Sequence, residues 1–456
     1  MKTKSMTEGN AFSLILKFAL PLMLGSVFQE FYTVTDTIIV GQFMGVGALA
    51  AIGIGGWITW MLLAAVQGFC QGFSVLASQA FGAKRTDDAN RQMGNSLLLS
   101  LIVSVLLAVF GQLFLAPLLR LLGTPKEVFG DALLYLRLYY GACPVTMAYN
   151  YASSHLRAYG NSKAPLIATV IASVVNIGLD ILFVGPFGWG IAGAIIATVI
   201  AQFVAAVYSF YALLKIDFVK FKKSNMKLNP NLSVKQLKMG LPMSVQYIII
   251  SIGGIIVQFV VNRYGIAYIA GMTATNRLYT LLETAAISYG YAITTYVGQN
   301  VGAGKIERVK EGVIGGNIIA VITSFIIMSA MFVFGKELVG LFISGTPAEI
   351  KEALGVAWKY LLVMSAFLPV LYSLHIFKAA VVGFGNSFFA MMSGVAELVL
   401  RVGASFLLPF YFGKMNLFYA EPLAWIAAWV VLIIGFVYCY KKVKVNYKMH
   451  LKFEQK

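Results

Sequence analysis

The chain has 456 residues, of which 59% are hydrophobic, 14% aromatic and only 12% charged, and its formal net charge is +17. The mean hydropathy is +0.81. A composition this apolar excludes a water-soluble globular protein, because the hydrophobic residues exceed what a water-soluble core can bury, and it indicates a polytopic membrane protein.

Apolar stretches long enough to cross a bilayer recur along nearly the whole chain. A membrane-spanning helix needs about 20 apolar residues, and the sequence predicts about twelve such helices. In chain order they cover residues 12–40, 48–78, 94–116, 132–155, 165–185, 190–213, 241–262, 267–298, 314–335, 356–378, 388–410 and 421–440. These runs are too continuous for a transmembrane β-barrel. The polar start MKTKSMTEGN lacks signal-peptide features, so no cleaved leader is expected.

The positive charges lie on one side of the predicted helices. They are densest in the segment 214–238, whereas the loops GQFMGVG (41–47) and GPFGWG (185–190) have none. The charged positions on the basic side are Lys2, Lys4, Lys84, Arg85, Arg91, Arg157, Lys163, Lys305, Arg308, Lys310 and the tail from Lys441. This positive-inside pattern predicts that both termini lie in the cytoplasm, at the inner or plasma membrane. Attraction to anionic lipid explains the charge without a nucleic-acid partner.

Short motifs of the first half return in the second half. The pairs are QAFGA at 79–83 with QNVGA at 299–303, GTP at 123–125 with 345–347, GNS at 160–162 with 385–387, and Pro21 with Pro242. A separation of about 220 to 225 residues predicts a duplication. We expect two six-helix lobes, 1–213 and 239–440, a basic cytoplasmic linker, 214–238, and a basic cytoplasmic tail, 441–456. Two such lobes, related by a pseudo-twofold axis along the membrane normal, are typical of alternating-access transporters.

Five acidic residues lie within the predicted helices: Glu30, Asp36, Asp180, Glu283 and Glu397. A charged group in hydrocarbon costs at least about 2.5 kcal/mol, so such residues usually face a bundle interior or a wet cavity and have a function. Glu30 lies about two turns inward of Asp36 and either lines a lower cavity or contacts a neighbouring helix.

Asp36 and Asp180 lie at matching depths near the outer ends of the first and fifth helices. Asn176 precedes Asp180 by one turn on the same face, and Thr198 of the sixth helix lies a little deeper. These four side chains form an all-oxygen set of the kind that binds Na⁺. Alternatively, the carboxyls bind and release protons, or Asp180 only makes structural hydrogen bonds. The first two interpretations predict coupling to an ion gradient, with H⁺ or Na⁺ as the coupling ion and no cofactor.

Four stretches carry a family resemblance. They are LPLMLGSVFQEFYTVTDTIIVGQFMG at 20–45, SQAFGA at 78–83, NIGLDILFVGPFGWGIAGAIIATVIAQ at 176–202 and TTYVGQNVGAG at 294–304. Together they resemble the multidrug and toxic compound extrusion (MATE) family, and the N-terminal half resembles its DinF-like branch. The similarity extends from about residue 11 to residue 440, with motifs in both halves.

The resemblance implies a twelve-helix, two-lobed exporter that expels cationic and amphipathic small molecules by antiport with H⁺ or Na⁺. It also implies that Asp36, Asn176, Asp180 and Thr198 hold the coupling ion, which would be the place of any bound Na⁺. Pro21 matches a proline at which the first helix of the family is proposed to bend when its lobe is protonated.

The second half departs from the NorM-like branch, which has coupling acids in the seventh and tenth helices. Here those helices offer Gln246, Gln258 and His375 but no carboxylate. Pro21, Glu30, Gln246 and His375 are therefore candidate cavity or hinge residues. The candidates for a polar site in the second lobe are Glu283, Glu397 and Arg401. Glu397 and Arg401 are spaced for an ion pair on one helix, whereas Glu283 has no evident partner in the sequence.

Several alternatives bear on function. A lipid or lipid-linked oligosaccharide flippase of the same broad superfamily would need a strongly cationic cavity, and only Arg137, Arg277, Lys359 and Arg401 are candidates for it. An enzyme is not expected, because no nucleophile or metal motif appears. Aromatic residues such as Tyr32 and Tyr139 suit a pocket for lipophilic cations, although they are also ordinary packing residues. We expect a monomer, with small-molecule substrates and the bilayer as partners.

Overall fold

The computed structural model describes the backbone of residues 5–222 and 224–454, and the side chains of these ranges except residues 37, 45–50 and 448–454. Lys2 and Lys4, which contribute to the predicted charge pattern, lie outside the described residues, as do the last two residues of the predicted tail. Within the described ranges the regular structure is helical, and no strand occurs.

Thirteen α-helices and two 3₁₀ segments make up the regular structure of the described residues. The α-helices are α1 (Ala11–Gly82), α2 (Thr86–Leu121), α3 (Lys126–Gly141), α4 (Cys143–Ala158), α5 (Lys163–Val184), α6 (Gly190–Leu214), α7 (Pro230–Val261), α8 (Ile266–Gly302), α9 (Ile306–Gly340), α10 (Pro347–Ala366), α11 (Leu368–Gly383), α12 (Phe388–Phe412) and α13 (Ala420–Glu454). The 3₁₀ segments are Asn262–Tyr264 and Lys414–Tyr419.

Nine helical segments of the described chain are long and apolar enough to cross a membrane, and the bent pair α10–α11 makes a tenth. Two of the nine, Ala11–Met44 and Ala51–Gly82, lie within α1. The remaining two predicted helices correspond to α3 with α4 and to α8, which are more polar. The chain is therefore a multi-pass membrane protein whose helices follow the predicted order.

Two of the predicted helices are broken in the structure. The predicted helix 132–155 consists of α3 and α4, which are separated at Ala142, and Pro144 stands in the first turn of α4. The predicted helix 356–378 consists of α10 and α11, which meet at Phe367 at an angle of 49°. Pro369 is in the first turn of α11. Proline lacks an N–H donor and clashes with the preceding turn, so each helix restarts at its proline.

The chain divides into two compact units. One unit contains Leu20–Tyr247, and the other contains Met6–Ala19 together with the chain from Ile248 onward. In the second unit, the N–H of Met6 donates to Oε1 of Gln299 at 2.8 Å. The predicted lobe boundaries, 1–213 and 239–440, stay a prediction.

Within the first unit, the start of α7 packs closely against the second span of α1. The hydroxyl of Ser244 donates to the carbonyl of Ala65 at 2.8 Å. At Gly68 an added Cβ would lie 2.6 Å from the Cα of Ser244, and at Gly72 one would lie 2.6 Å from the Cα of Gly240. The glycines therefore permit a helix contact that any larger residue would prevent.

Candidate functional site

The site in the first unit is built on the antiparallel pair α5 and α6. The two helices are joined by a tight turn in which Gly188 has a φ of +63°, a conformation that favours glycine. The rings of Phe183 and Trp189 pack with their centroids 4.6 Å apart and close this end of the pair. The resulting register brings Nδ2 of Asn176 to 3.4 Å from the hydroxyl oxygen of Thr198.

Asp36 of α1 and Asp180 of α5 meet beside this pair. Their carboxyl groups lie close together, an arrangement that favours a proton on one of them or a cation between them. Asn176 lies next to the Asp180 carboxyl. The side chain of Asp180 is fully buried, and Asn176 is 1% exposed. The structure thus brings together all four residues of the predicted ion site.

The oxygens of this site lack donors. Oδ1 of Asp36, Oδ1 of Asn176 and both carboxyl oxygens of Asp180 are shielded from solvent, and no N–H or O–H of the described residues makes a well-formed hydrogen bond to them. An unsatisfied buried polar group costs about 1–3 kcal/mol. Four such oxygens together fit a proton or a small hard cation, since either supplies the missing positive partner.

Tyrosines form a wall around the aspartates. Tyr32 lies close to both carboxyls and to the phenols of Tyr135 and Tyr139. The rings of Tyr135 and Tyr139 stack with centroids 6.4 Å apart. Thr59 lies next to the phenol of Tyr135, and Gln202 lies next to that of Tyr139. Tyr135 and Gln202 did not emerge from the sequence, because no local pattern separates them from ordinary packing residues.

A small cavity opens beside the aspartates. Asn176 and Thr198 line it together with Gln29, Tyr32 and residues of α4 and α5. Water-sized particles can occupy about 50 Å³ of it, which is room for a few water molecules. Its lining includes hydroxyl and amide groups of Tyr149, Thr169, Ser173 and Gln202 among mainly apolar surface. Asn176 thus faces a space large enough for water.

The second unit contains a separate charged cluster. Nε2 of His375 lies 3.2 Å from Oε1 of Glu283. Arg401 forms a salt bridge with Glu397 on its own helix and another with Glu421 of α13 at 2.8 Å. The pairing of Glu397 with Arg401 follows from their spacing, but the partners His375 and Glu421 are distant in sequence. They could not be assigned without the fold.

The remaining candidate residues are on α1 and α7. Pro21 is inside α1, close to the point between Ala19 and Leu20 at which the chain passes from one unit to the other. Glu30 is half-buried in α1. Gln246 is buried in α7. Gln258 is half-buried there and donates to Asn262 at 2.8 Å.

A duplicated bundle of membrane-spanning helices, with two carboxyls close together beside a small cavity, defines a polytopic membrane transporter. A family model described as MatE matches residues 21–182 and again residues 242–407. The chain therefore belongs to the MATE family of multidrug efflux transporters, and not to a family of enzymes.

Individual relatives agree with this assignment. The probable multidrug resistance protein YoeA of Bacillus subtilis (strain 168) is 29% identical over 76% of this chain and 75% of its own. YpnP of the same organism, also named a probable multidrug resistance protein, is 31% identical over 75% of this chain and 77% of its own. A crystal structure of MATE in complex with MaL6 has a TM-score of 0.89 at 22% identity, covering 98% of this chain and 100% of that chain. The predicted fold class, all-α with twelve membrane helices in two six-helix lobes, is confirmed.

Proposed function

We propose that this protein is a secondary active exporter that expels cationic and amphipathic small molecules in exchange for H⁺ or Na⁺. The observation that carries the proposal is the close pair of the buried Asp180 and the half-buried Asp36, with four site oxygens that receive no well-formed hydrogen bond from the described residues. The relatives named as multidrug resistance proteins support the substrate class.

The charge of the aspartate pair links the ion to the substrate. Two carboxylates this close repel each other unless a proton or a cation neutralises part of their charge. A cationic substrate and the coupling ion are therefore alternative ways to balance the same negative charge. Each ligand drives the cycle only through its different affinity for the states open to either side of the membrane. The ion enters down its gradient as the substrate leaves.

Pro21 is the proposed hinge of this cycle. Proline removes one hydrogen bond from the helix interior and weakens the turn before it. The chain changes packing unit between Ala19 and Leu20, beside this weak turn. Ion binding at Asp36, which lies further along α1, then changes the bend of this helix at Pro21.

The same proposal covers orientation and assembly. We place both termini and the segment 214–238 in the cytoplasm, because Lys and Arg concentrate there. The protein acts in the cell membrane as a monomer, without a cofactor. The flippase alternative has less support, since Arg401, one of its candidate cavity cations, is held by two glutamates.

Dye efflux in cells tests the proposal. In a host without its own efflux pumps, Asp180→Asn should reach the membrane in normal amounts and should not extrude ethidium. Asp217→Asn is the matched control, because this exposed aspartate lies outside the site, and it should extrude ethidium at the wild-type rate. Normal efflux by Asp180→Asn would remove the aspartate pair from the mechanism.

A further inference from the structure

The internal repeat places Arg401 where the first half has Asn176. Helices α5 and α12 both follow a GNS motif and begin at Lys163 and Phe388, 225 residues apart. The two family matches end at residues 182 and 407, again 225 apart. The same separation relates Asn176 to Arg401, and it relates Asp180 to Ser405.

The helix that carries Asp36 also has a counterpart in the second half. The two family matches begin at residues 21 and 242, and both positions are proline. When the two prolines, Pro21 and Pro242, are aligned, Asp36 corresponds to Val257 and Tyr32 corresponds to Gly253. The second half therefore has no acid at either position that corresponds to Asp36 or Asp180. It has Arg401 at the position that corresponds to Asn176.

The backbone of α7 lies close to the Arg401 side chain. A Cβ added to Gly253 would lie 3.2 Å from Cδ of Arg401 and 3.3 Å from Nη1. Nη1 also donates to the carbonyl of Ile250 at 3.3 Å, and Ile250 is the counterpart of Gln29 in the first-unit cavity. The Arg401 side chain thus lies at the equivalent of the first unit's cavity. Gly253 stands there in place of Tyr32 and leaves room for it.

Side chains of both charges surround Arg401. Glu397 and Glu421 both form salt bridges with the guanidinium, which is 6% exposed as a residue. The nearby Lys378 interacts electrostatically with both Glu397 and Glu283. Glu283 is also hydrogen-bonded to His375. A guanidinium group stays protonated under all physiological conditions and offers five donors in a fixed plane. Because the Arg401 guanidinium is both permanently charged and covalently attached to α12, it is a cation that cannot leave this position.

We infer that Arg401 is a tethered cation that permanently fills the second lobe's counterpart of the ion site. This inference rests on the proposed function in one respect, since it implies that only the Asp36–Asp180 site loads and releases a mobile ion. It also explains why the second half lacks acids at the positions of Asp36 and Asp180. A built-in cation needs fixed carboxylates to hold it, and Glu397 and Glu421 supply them.

Chemical rescue tests whether this position requires a guanidinium cation. In Arg401→Ala, the purified protein in detergent should unfold several degrees below wild type, because two buried carboxylates lose their partner. Guanidinium chloride, well below denaturing concentrations, should recover at least half of that loss by binding in the space left by the side chain. Potassium chloride at equal concentration should not, and neither salt should raise the unfolding temperature of wild type. Absence of a guanidinium effect on Arg401→Ala would overturn the inference.

A second pair of variants keeps the test decisive if Arg401→Ala does not fold. Arg401→Lys retains a cation with shorter reach, and Arg401→Met fills similar space without charge. The lysine variant should stay close to wild type in unfolding temperature, whereas the methionine variant should fall well below it and should not respond to guanidinium. Equal behaviour of the two variants would show that charge is not required. Because unfolding is read without transport, this outcome is independent of any failure of Asp180→Asn to abolish efflux.

Discussion

The carboxyl groups of Asp36 and Asp180 lie close together, although they are on helices α1 and α5. Neither Oδ1 of Asp36 nor either oxygen of Asp180 receives a well-formed hydrogen bond from the described residues. The pair therefore depends on an added positive charge, and this dependence is the physical basis of the proposed exchange.

Asp36 and Asp180 should behave as one site. Replacing either one by Asn removes half of the charge that an ion or a substrate neutralises, so each single variant should lose ethidium efflux. The double variant Asp36→Asn/Asp180→Asn should lose no more than the more damaged single variant, since coupled residues are not additive. Initial efflux rates at matched membrane levels measure this. Independent, additive losses would contradict a shared site.

Thr198 should matter for Na⁺ and not for H⁺. Its hydroxyl oxygen is 3.4 Å from Nδ2 of Asn176 and is placed to act as a ligand, and a sodium ion needs several oxygen ligands, whereas a proton needs only a carboxylate. Thr198→Val keeps the shape and removes the oxygen. We expect this variant to lose whatever transport a Na⁺ gradient drives in wild type and to keep whatever transport a pH gradient drives, both measured in liposomes. Thr198→Ser retains the oxygen and is the control. A Thr198→Val variant that loses only H⁺-driven transport would refute the ligand role.

Gly72 should tolerate no side chain. An added Cβ would lie 2.6 Å from the Cα of Gly240 and 2.7 Å from its nitrogen, so α1 and α7 would have to separate. Gly72→Ala should lower stability by about 1–3 kcal/mol, as overpacking does. Gly56→Ala is the control in the same span, because nothing lies within 4 Å of its added Cβ. Thermal unfolding of the two purified variants compares them, and equal unfolding temperatures would contradict the close contact.

Arg308 should anchor the start of the chain within the second unit. Its Nη2 donates to the carbonyl of Gly9 at 2.8 Å, and its Nε donates to Oδ1 of Asn300 at 3.3 Å. Bonds from a charged donor contribute about 1.5–3 kcal/mol each. Arg308→Ala should therefore speed amide hydrogen exchange between Met6 and Ala11. Lys310→Ala, which removes an exposed charge nearby, should leave exchange unchanged, and equal exchange in Arg308→Ala and wild type would contradict the anchoring contact.

The sequence predicted the order of the helices because membrane spans have a strong, continuous apolar signal. It missed the breaks at Ala142 and Phe367, where proline restarts a helix without interrupting the apolar run. The depth of Asp36 and Asp180 along their helices was enough to propose that they meet. The partners His375 and Glu421 come from distant helices, and only tertiary packing brings them to Glu283 and Arg401.

The most direct test of the central claim is transport by purified protein in liposomes, with a pH gradient and a Na⁺ gradient imposed separately. Wild type should move a cationic substrate in response to at least one of the two gradients, and Asp36→Asn/Asp180→Asn should respond to neither. Gradient-driven transport that persists in the double variant would contradict the claim that this aspartate pair carries the coupling ion.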